Sequence, residues 1–264
     1  LSDSDYNTVF NNNVTANGSA IYLSESSHNN ISNNNATGED GDGIKLLFDS
    51  DYNLITNNII IADDYAISLQ NASHNTFINN TAETTMGQTF RLLWSYNNTV
   101  RGGSIKDEFV WCEYRLTEAG STNSFRDTNF TDQRQICLYN SSWFNYNNET
   151  TGGVWLNTTT NPNCTIKREL TSLNKSLVQW NDTQSNVIFD TTATYNISGL
   201  YENTYYNVYN DSVLLDTLQT DENGVLSSFD IYFDTLTEHE IKVEVQDSSP
   251  QYSLNSTNST TAGT

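Results

Sequence analysis

Apolar residues in the first half of the chain come in short alternating bursts, and the bursts return every 22 to 25 residues. Counted from the asparagine that opens each repeat, three apolar columns stay in register. The first is Val9, Ile31, Ile55, Phe77, Val100, Phe125, and five residues further on lies Val14, Ala36, Ile60, Ala82, Ile105, Phe130. The third is a pair two apart: Ile21/Leu23, Ile44/Leu46, Ile67/Leu69, Phe90/Leu92, Tyr114/Leu116, Ile136/Leu138. Residues two apart on a strand share a face, so each repeat predicts three short strands that send these side chains inward. A repeat this short has no room for two helices, and almost no window spaces apolar residues three and four apart, which excludes a helical solenoid. Parallel stacking of about six such rungs makes a β-helix with a core roughly 29 Å tall.

The repeated phrase is Asn-x-[Val/Ile/Phe]-x-Asn-Asn, opening at Asn7, Asn29, Asn53, Asn75, Asn98 and Asn123 and decaying in the last two copies to Arg-Gly-Gly and Arg-Asp-Thr. The leading asparagine lies two residues before the first apolar column and therefore points inward. A buried amide is costly unless its donors and acceptors are paired. Stacked one per rung at a bend, these asparagines are expected to form a structural ladder. At these residues the chain resembles the right-handed parallel β-helix proteins called NosD-like or parallel β-helix repeat proteins, over about residues 1–138. The resemblance implies a fold and leaves the activity open, because the family spans carbohydrate-active enzymes, adhesins and structural proteins. The copper link of its namesake finds no support. There is one Met, and His28 and His74 lie two rungs apart, about 10 Å, too far to share a metal. They alternate with Tyr6, Tyr52 and Tyr96 in what reads as a stacked surface stripe.

The register fades near Leu138. Residues 139–186 are transitional, with short β-prone runs at Val154–Leu156, Cys164–Ile166 and Ser176–Trp180, and plain alternation follows up to 247. Short strands every 8 to 14 residues, with turns at Asn210-Asp211-Ser212 and Asp221-Glu222-Asn223-Gly224, predict an antiparallel β-sandwich over 139–247. Ser198-Gly199-Leu200, Tyr205 to Tyr209, Thr220 to Gly224 and His239-Glu240-Ile241 resemble the immunoglobulin-like or fibronectin-like module that follows β-helices in archaeal surface proteins. Residues 248–264 are rich in Ser, Thr and Asn and read as a stalk or linker. The expected class is thus all-β: a right-handed parallel β-helix of about six rungs at 1–138, then a β-sandwich.

Thirty-two acidic residues against eleven basic give a net charge of −21, which argues against nucleic acid or an anionic membrane as partner. No stretch approaches the roughly 20 apolar residues of a membrane span. Composition alone gives about nine Asn-x-Ser/Thr sequons, and the chain has eighteen. They are Asn13, Asn17, Asn30, Asn35, Asn71, Asn79, Asn97, Asn129, Asn140, Asn148, Asn157, Asn163, Asn174, Asn181, Asn196, Asn210, Asn255 and Asn258. Asn13, Asn35 and Asn129 hold one repeat position, immediately before an inward residue, and should point outward. Asn-rich turn chemistry on a Ser/Thr-rich surface is the plain alternative. The favoured reading is a heavily N-glycosylated extracellular or cell-surface protein. Leu1 enters directly into a rung, from which we expect that a leader has been removed and that a terminal segment or a neighbouring subunit covers the open end.

Cys112 and Cys137 are one repeat apart but out of register. Cys137 is therefore expected to pair with Cys164, leaving Cys112 free. Candidate chemistry gathers at Glu39, Asp40 and Asp42 with Asp63 and Asp64 one rung on. Alignment stacks Asp40 on Asp63 about 5 Å apart, an arrangement that invites a cation or a raised pKa. Asp40, Asp42, Asp63 and Asp64 are thus candidate calcium ligands, with a hydrated turn as the bland alternative; no other cofactor is implied. Asp3, Glu25 and Asp49 form a second, solubilising acidic column. Tyr22, Lys45, Ser68, Arg91 and Arg115 make an outward column that could line a sugar groove. The sequence as a whole points to a non-enzymatic surface protein, archaeal by resemblance, that self-associates into a filament, sheath or layer. A secreted polysaccharide-binding or polysaccharide-cleaving protein, a lyase or hydrolase, is the alternative, and a monomeric adhesin a third.

Overall fold

A computed structural model describes residues 1–107, 114–118, 122–128, 134–185, 190–233 and 236–246. Strands of three to six residues repeat three to a rung and stack in parallel into three sheets. In the first sheet Val9 pairs with Ile31, Ile31 with Ile55, Ile55 with Phe77, Phe77 with Val100 and Val100 with Phe125. The second sheet aligns Val14, Ala36, Ile60, Ala82 and Ile105, and the third aligns Ile21 through Ile136. The three apolar columns face one another in one core. Phe130 and Asn129 lie outside the described residues.

Two asparagine ladders hold the corners. The expected one runs Asn7, Asn29, Asn53, Asn75, Asn98, Asn123. The backbone N–H of each donates to the side-chain Oδ1 of the next at 2.8 or 2.9 Å. Asn53 shows the full set: its Oδ1 accepts from both the backbone and the Nδ2 of Asn29, and its Nδ2 donates to Asn75 Oδ1 and to the Ser26 carbonyl. Five residues further on, Asn12, Asn34, Asn58 and Asn80 repeat the arrangement at the next corner, a second ladder not anticipated from the sequence. A residue at positive φ precedes the ladder members from Asn7 to Asn98 at the first corner, and Asn11, Asn33, Asn57 and Asn79 do so at the second. Asparagine tolerates this left-handed turn better than most residues. Where the phrase decays, Gly102 takes it at φ 60° and Gly103 lets the chain close on Asn80, whose carbonyl would lie 2.2 Å from an added Cβ.

The coil gives way gradually, with no gap in the sheets. Phe144–Asn148 still pairs in parallel with Ser124–Arg126, one strand beyond the expected limit at Leu138. Its register puts Phe144, not asparagine, at the ladder position, which hides the rung from a motif search. Phe144 stacks on Phe125 with ring centroids 4.7 Å apart. The far edge of the same strand pairs antiparallel with Val154–Asn161, and Arg134–Tyr139 of the third sheet likewise pairs with Cys164–Leu173. The first and third sheets thus run on through antiparallel strands to ten and eleven strands. The two extensions face each other, and their buried residues join the core of the coil in a single cluster from Ile21 to Val243.

Between the extensions lies a buried charge pair. Arg168 donates from Nε to Asp182 Oδ1 at 2.8 Å and from an Nη to Oδ2 at 2.6 Å. Tyr195 and Trp180 also donate to Oδ2, at 2.7 and 3.2 Å. Burial, then the Asp182 charge, pushes the Tyr195 phenol well above its ordinary value. Burial likewise lifts Tyr146 to about 12, with the Asp127 charge adding to it.

Two predictions follow from these contacts. Asn53→Ala strands the buried amides of Asn29, so the unfolding free energy from urea titration should fall by roughly 2–4 kcal/mol. The raised phenols bind their protons more tightly folded than unfolded. Their contribution is complete below pH 10 and is lost as pH rises through the folded values. Thermal midpoints read by circular dichroism should therefore drop between about pH 10 and 12, and Tyr195→Phe should flatten that drop.

Candidate functional site

On the outer face of the third sheet, Tyr22, Lys45, Ser68, Arg91 and Arg115 occupy one register, a residue per rung. Three of the chain's eleven basic residues thus line up on an acidic protein. Beyond an exposed Tyr22 the column is sunk: Ser68 is 0% exposed and Lys45, Arg91 and Arg115 are half-buried. Arg91 lies 4.9 Å over the Tyr65 ring and Arg115 5.3 Å over Tyr139, while Arg115 also donates to Gln88 Oε1 at 3.2 Å.

Asp42 reaches the column from the preceding corner. It is 1% exposed, and its Oδ2 lies 2.7 Å from Lys45 Nζ, off the hydrogen-bond line, so the contact is ionic. Glycines make the approach possible: a Cβ on Gly38 would stand 2.2 Å from the Asp42 carbonyl, and one on Gly87 would overlap the carbonyl of Asp64. Partial burial, then the Asp42 charge, raises the Asp64 carboxyl, against the pull of Lys45, Arg91 and Arg115. Asp42 Oδ1, Ser68 Oγ, Arg91 Nε and Arg115 Nε are all buried without a hydrogen-bond partner. Unpaired buried groups are rare, and several along one column suit polar ligands or water.

The aspartates nearby are arranged otherwise than expected. Asp63 meets the backbone of Asp40: its Oδ2 accepts the Asp40 N–H at 3.3 Å and its Oδ1 accepts the Thr85 hydroxyl. Those two bonds, Thr85 first, lower the Asp63 carboxyl where stacking against a like charge would have raised it. The corner backbone, not the Asp40 carboxylate, fills the space. Asp40, Asp42, Asp63 and Asp64 accordingly do not gather, and among the described residues no three acidic, histidine or cysteine side chains are placed to hold a metal.

Two other expectations need correction. The ring stack runs Tyr6, His28, Tyr52, His74, with centroids 4.7 to 5.2 Å apart and planes within 9°, but the next position is Asn97, not Tyr96. Cys164 is free and buried, its thiol lifted to about 12 chiefly by burial, and Cys137 is disulfide-bonded to a residue other than Cys164. The antiparallel register explains why. Cys137 faces Thr165 and Cys164 faces Leu138, so the two thiols project from opposite faces of the sheet. Cys112 lies outside the described residues.

Asparagine divides cleanly. Among the described residues, the ten buried asparagines, Asn145 and Asn147 among them, all lie outside sequons. All fifteen described sequon asparagines reach solvent, from Asn13 to Asn210. Asn129, Asn255 and Asn258 lie outside the described residues. Among the described residues no helix is long and apolar enough to cross a membrane.

Residues 1–108 match the family model described as right handed beta helix region. The coil is a right-handed parallel β-helix. Among solved structures the chain is similar, at 10% identity over 92% of its length and 69% of the other chain, to the tailspike protein gp49 from Acinetobacter baumannii bacteriophage Fri1, a capsular polysaccharide depolymerase. The TM-score is 0.15, a likeness too slight to bear on fold or activity. Comparison with curated proteins finds no match.

Proposed function

We propose that the chain is an extracellular, N-glycosylated structural or adhesive surface protein, a stiff coil that carries sugar outward. The observation behind this reading is that every described sequon reaches solvent, in a chain with twice the sequons its composition gives. The antiparallel extension is read as an immunoglobulin-like module of the kind found in archaeal surface proteins, and the protein as one that self-associates into a filament, sheath or layer. An apolar sheet edge supports association: Val213, Leu214 and Leu215, on the last strand of the third sheet, are about half exposed or more. In material from a glycosylating host, peptide mapping should find glycans on most exposed sequons, Asn13, Asn17, Asn30 and Asn35 included, and electron microscopy should show periodic assemblies. Bare, monomeric protein would end this reading.

The sunken basic column favours a second reading, an acidic polysaccharide as ligand or substrate. Carboxylates would pair with Arg91 and Arg115, and the raised carboxyl of Asp64 would be the proton carrier in any cleavage. Calorimetric titration with polygalacturonate should show binding that weakens at least about tenfold in Arg91→Ala and Arg115→Ala. Equal binding by the variants would exclude the column.

A further inference from the structure

Where the first sheet turns antiparallel, its outer face carries a groove of about 420 Å³ lined by Asn97, Asn145, Trp155 and Asn157 among others. A cleft of about 270 Å³ adjoins it, sharing Asn145 and Asn157 and adding Trp143 and Asn196. The floor is a row of amides and the walls hold two half-buried indoles, a mixture of apolar ring and hydrogen-bonding groups that suits the two-faced surface of a sugar. Asn157 Oδ1 is buried there without a partner.

Three of these lining residues, Asn97, Asn157 and Asn196, are sequon asparagines. Their amides are not equivalent. Asn157 and Asn196 sit opposite each other on paired strands, and Asn157 Nδ2 donates to Asn196 Oδ1 at 3.4 Å while Asn196 Nδ2 donates to the Leu226 carbonyl at 3.3 Å. Asn97 stands exposed on a corner of the coil, its Nδ2 3.4 Å from His74 Nε2. We propose that a glycan carried by Asn97 lies in this groove against Trp155 and the amide row, and that Asn157 and Asn196 stay unmodified as its floor. The proposal rests on the glycoprotein reading above. In the modification, Asn97 Nδ2 bonds to the anomeric carbon of a diphosphate-linked sugar donor, the diphosphate carrier leaves with the bonding pair, and Nδ2 gives up one proton. Tethering keeps the effective concentration of sugar at the groove high without strong contacts. The glycan then joins the last rungs of the coil to the antiparallel extension.

The test compares the full chain from a glycosylating host with the same chain from a host that adds no N-glycan. Peptide mapping should find sugar on Asn97 and none on Asn157 or Asn196. Thr99→Ala, which removes the Asn97 sequon, should lower the thermal midpoint by about 2–4 °C and shift tryptophan emission in the glycosylated protein. It should do neither in the sugar-free protein, and Asn97→Asp should behave alike. Thr15→Ala, which removes the remote Asn13 sequon, should be silent in both. Sugar on Asn157 or Asn196, a bare Asn97 beside occupied sequons elsewhere, or an equal effect of Thr99→Ala with and without sugar would overturn the inference. Sugar on no sequon at all would instead sink the glycoprotein reading on which it stands.

Discussion

The structure depends on carrying a hydrogen-bond ladder around a corner. Along each flat sheet the backbone pairs rung to rung, but at a bend the peptide groups turn away and an N–H would be left buried and unpaired. Asparagine solves this by offering its side-chain carbonyl to the backbone N–H of the rung below, while its own amide continues upward. Two of the three corners use this device. At the first of these corners, three residues before the ladder asparagine, Ser26, Ser50 and Ser95 also accept a backbone N–H from the rung below at 3.2 to 3.3 Å. The bonds repeat at the spacing of the strands, so neighbouring rungs are locked in register and the apolar columns must stack like on like.

Relaxing that constraint is also what ends the coil. Once Phe144 replaces the ladder asparagine, the corner is held by ring stacking on Phe125, and the chain no longer has to complete a three-sided turn. Two of the sheets then continue as antiparallel strands while the core runs on beneath them. The Arg168 and Asp182 pair sits in that extension, away from the rungs. Replacing a matched buried pair with apolar groups is often neutral, whereas removing one partner is costly. The pair is therefore better understood as fixing which strands face each other than as a source of net stability.

The inward columns could be read from the sequence residue by residue, because strand alternation and a near-constant repeat leave a single register. The second ladder was hidden in plain view, since Asn12, Asn34, Asn58 and Asn80 each adjoin an outward asparagine and spacing alone does not tell the two apart. Contacts across antiparallel strands were not legible. The facing of Cys137 with Thr165 depends on where one strand turns back on another, which no local pattern fixes. The Asp40 and Asp63 alignment was close in register but silent on which part of Asp40, backbone or carboxylate, meets Asp63.

Strand geometry itself explains part of the asparagine partition. An inward asparagine shares its face with the residue two further on, and in both ladders that residue is apolar: Ile31 after Asn29, Ile55 after Asn53, Ala36 after Asn34, Ile60 after Asn58. A sequon requires Ser or Thr at that same position, so a ladder asparagine cannot be one without putting a hydroxyl into the core. The absence of sequons from the ladders therefore carries no information about sugar. What alternation does not demand is that outward asparagines have Ser or Thr two residues later, and yet fifteen of the described ones do. The case for glycosylation rests on that surplus, and on Asn97 standing exposed beside a groove where a sugar has room to lie.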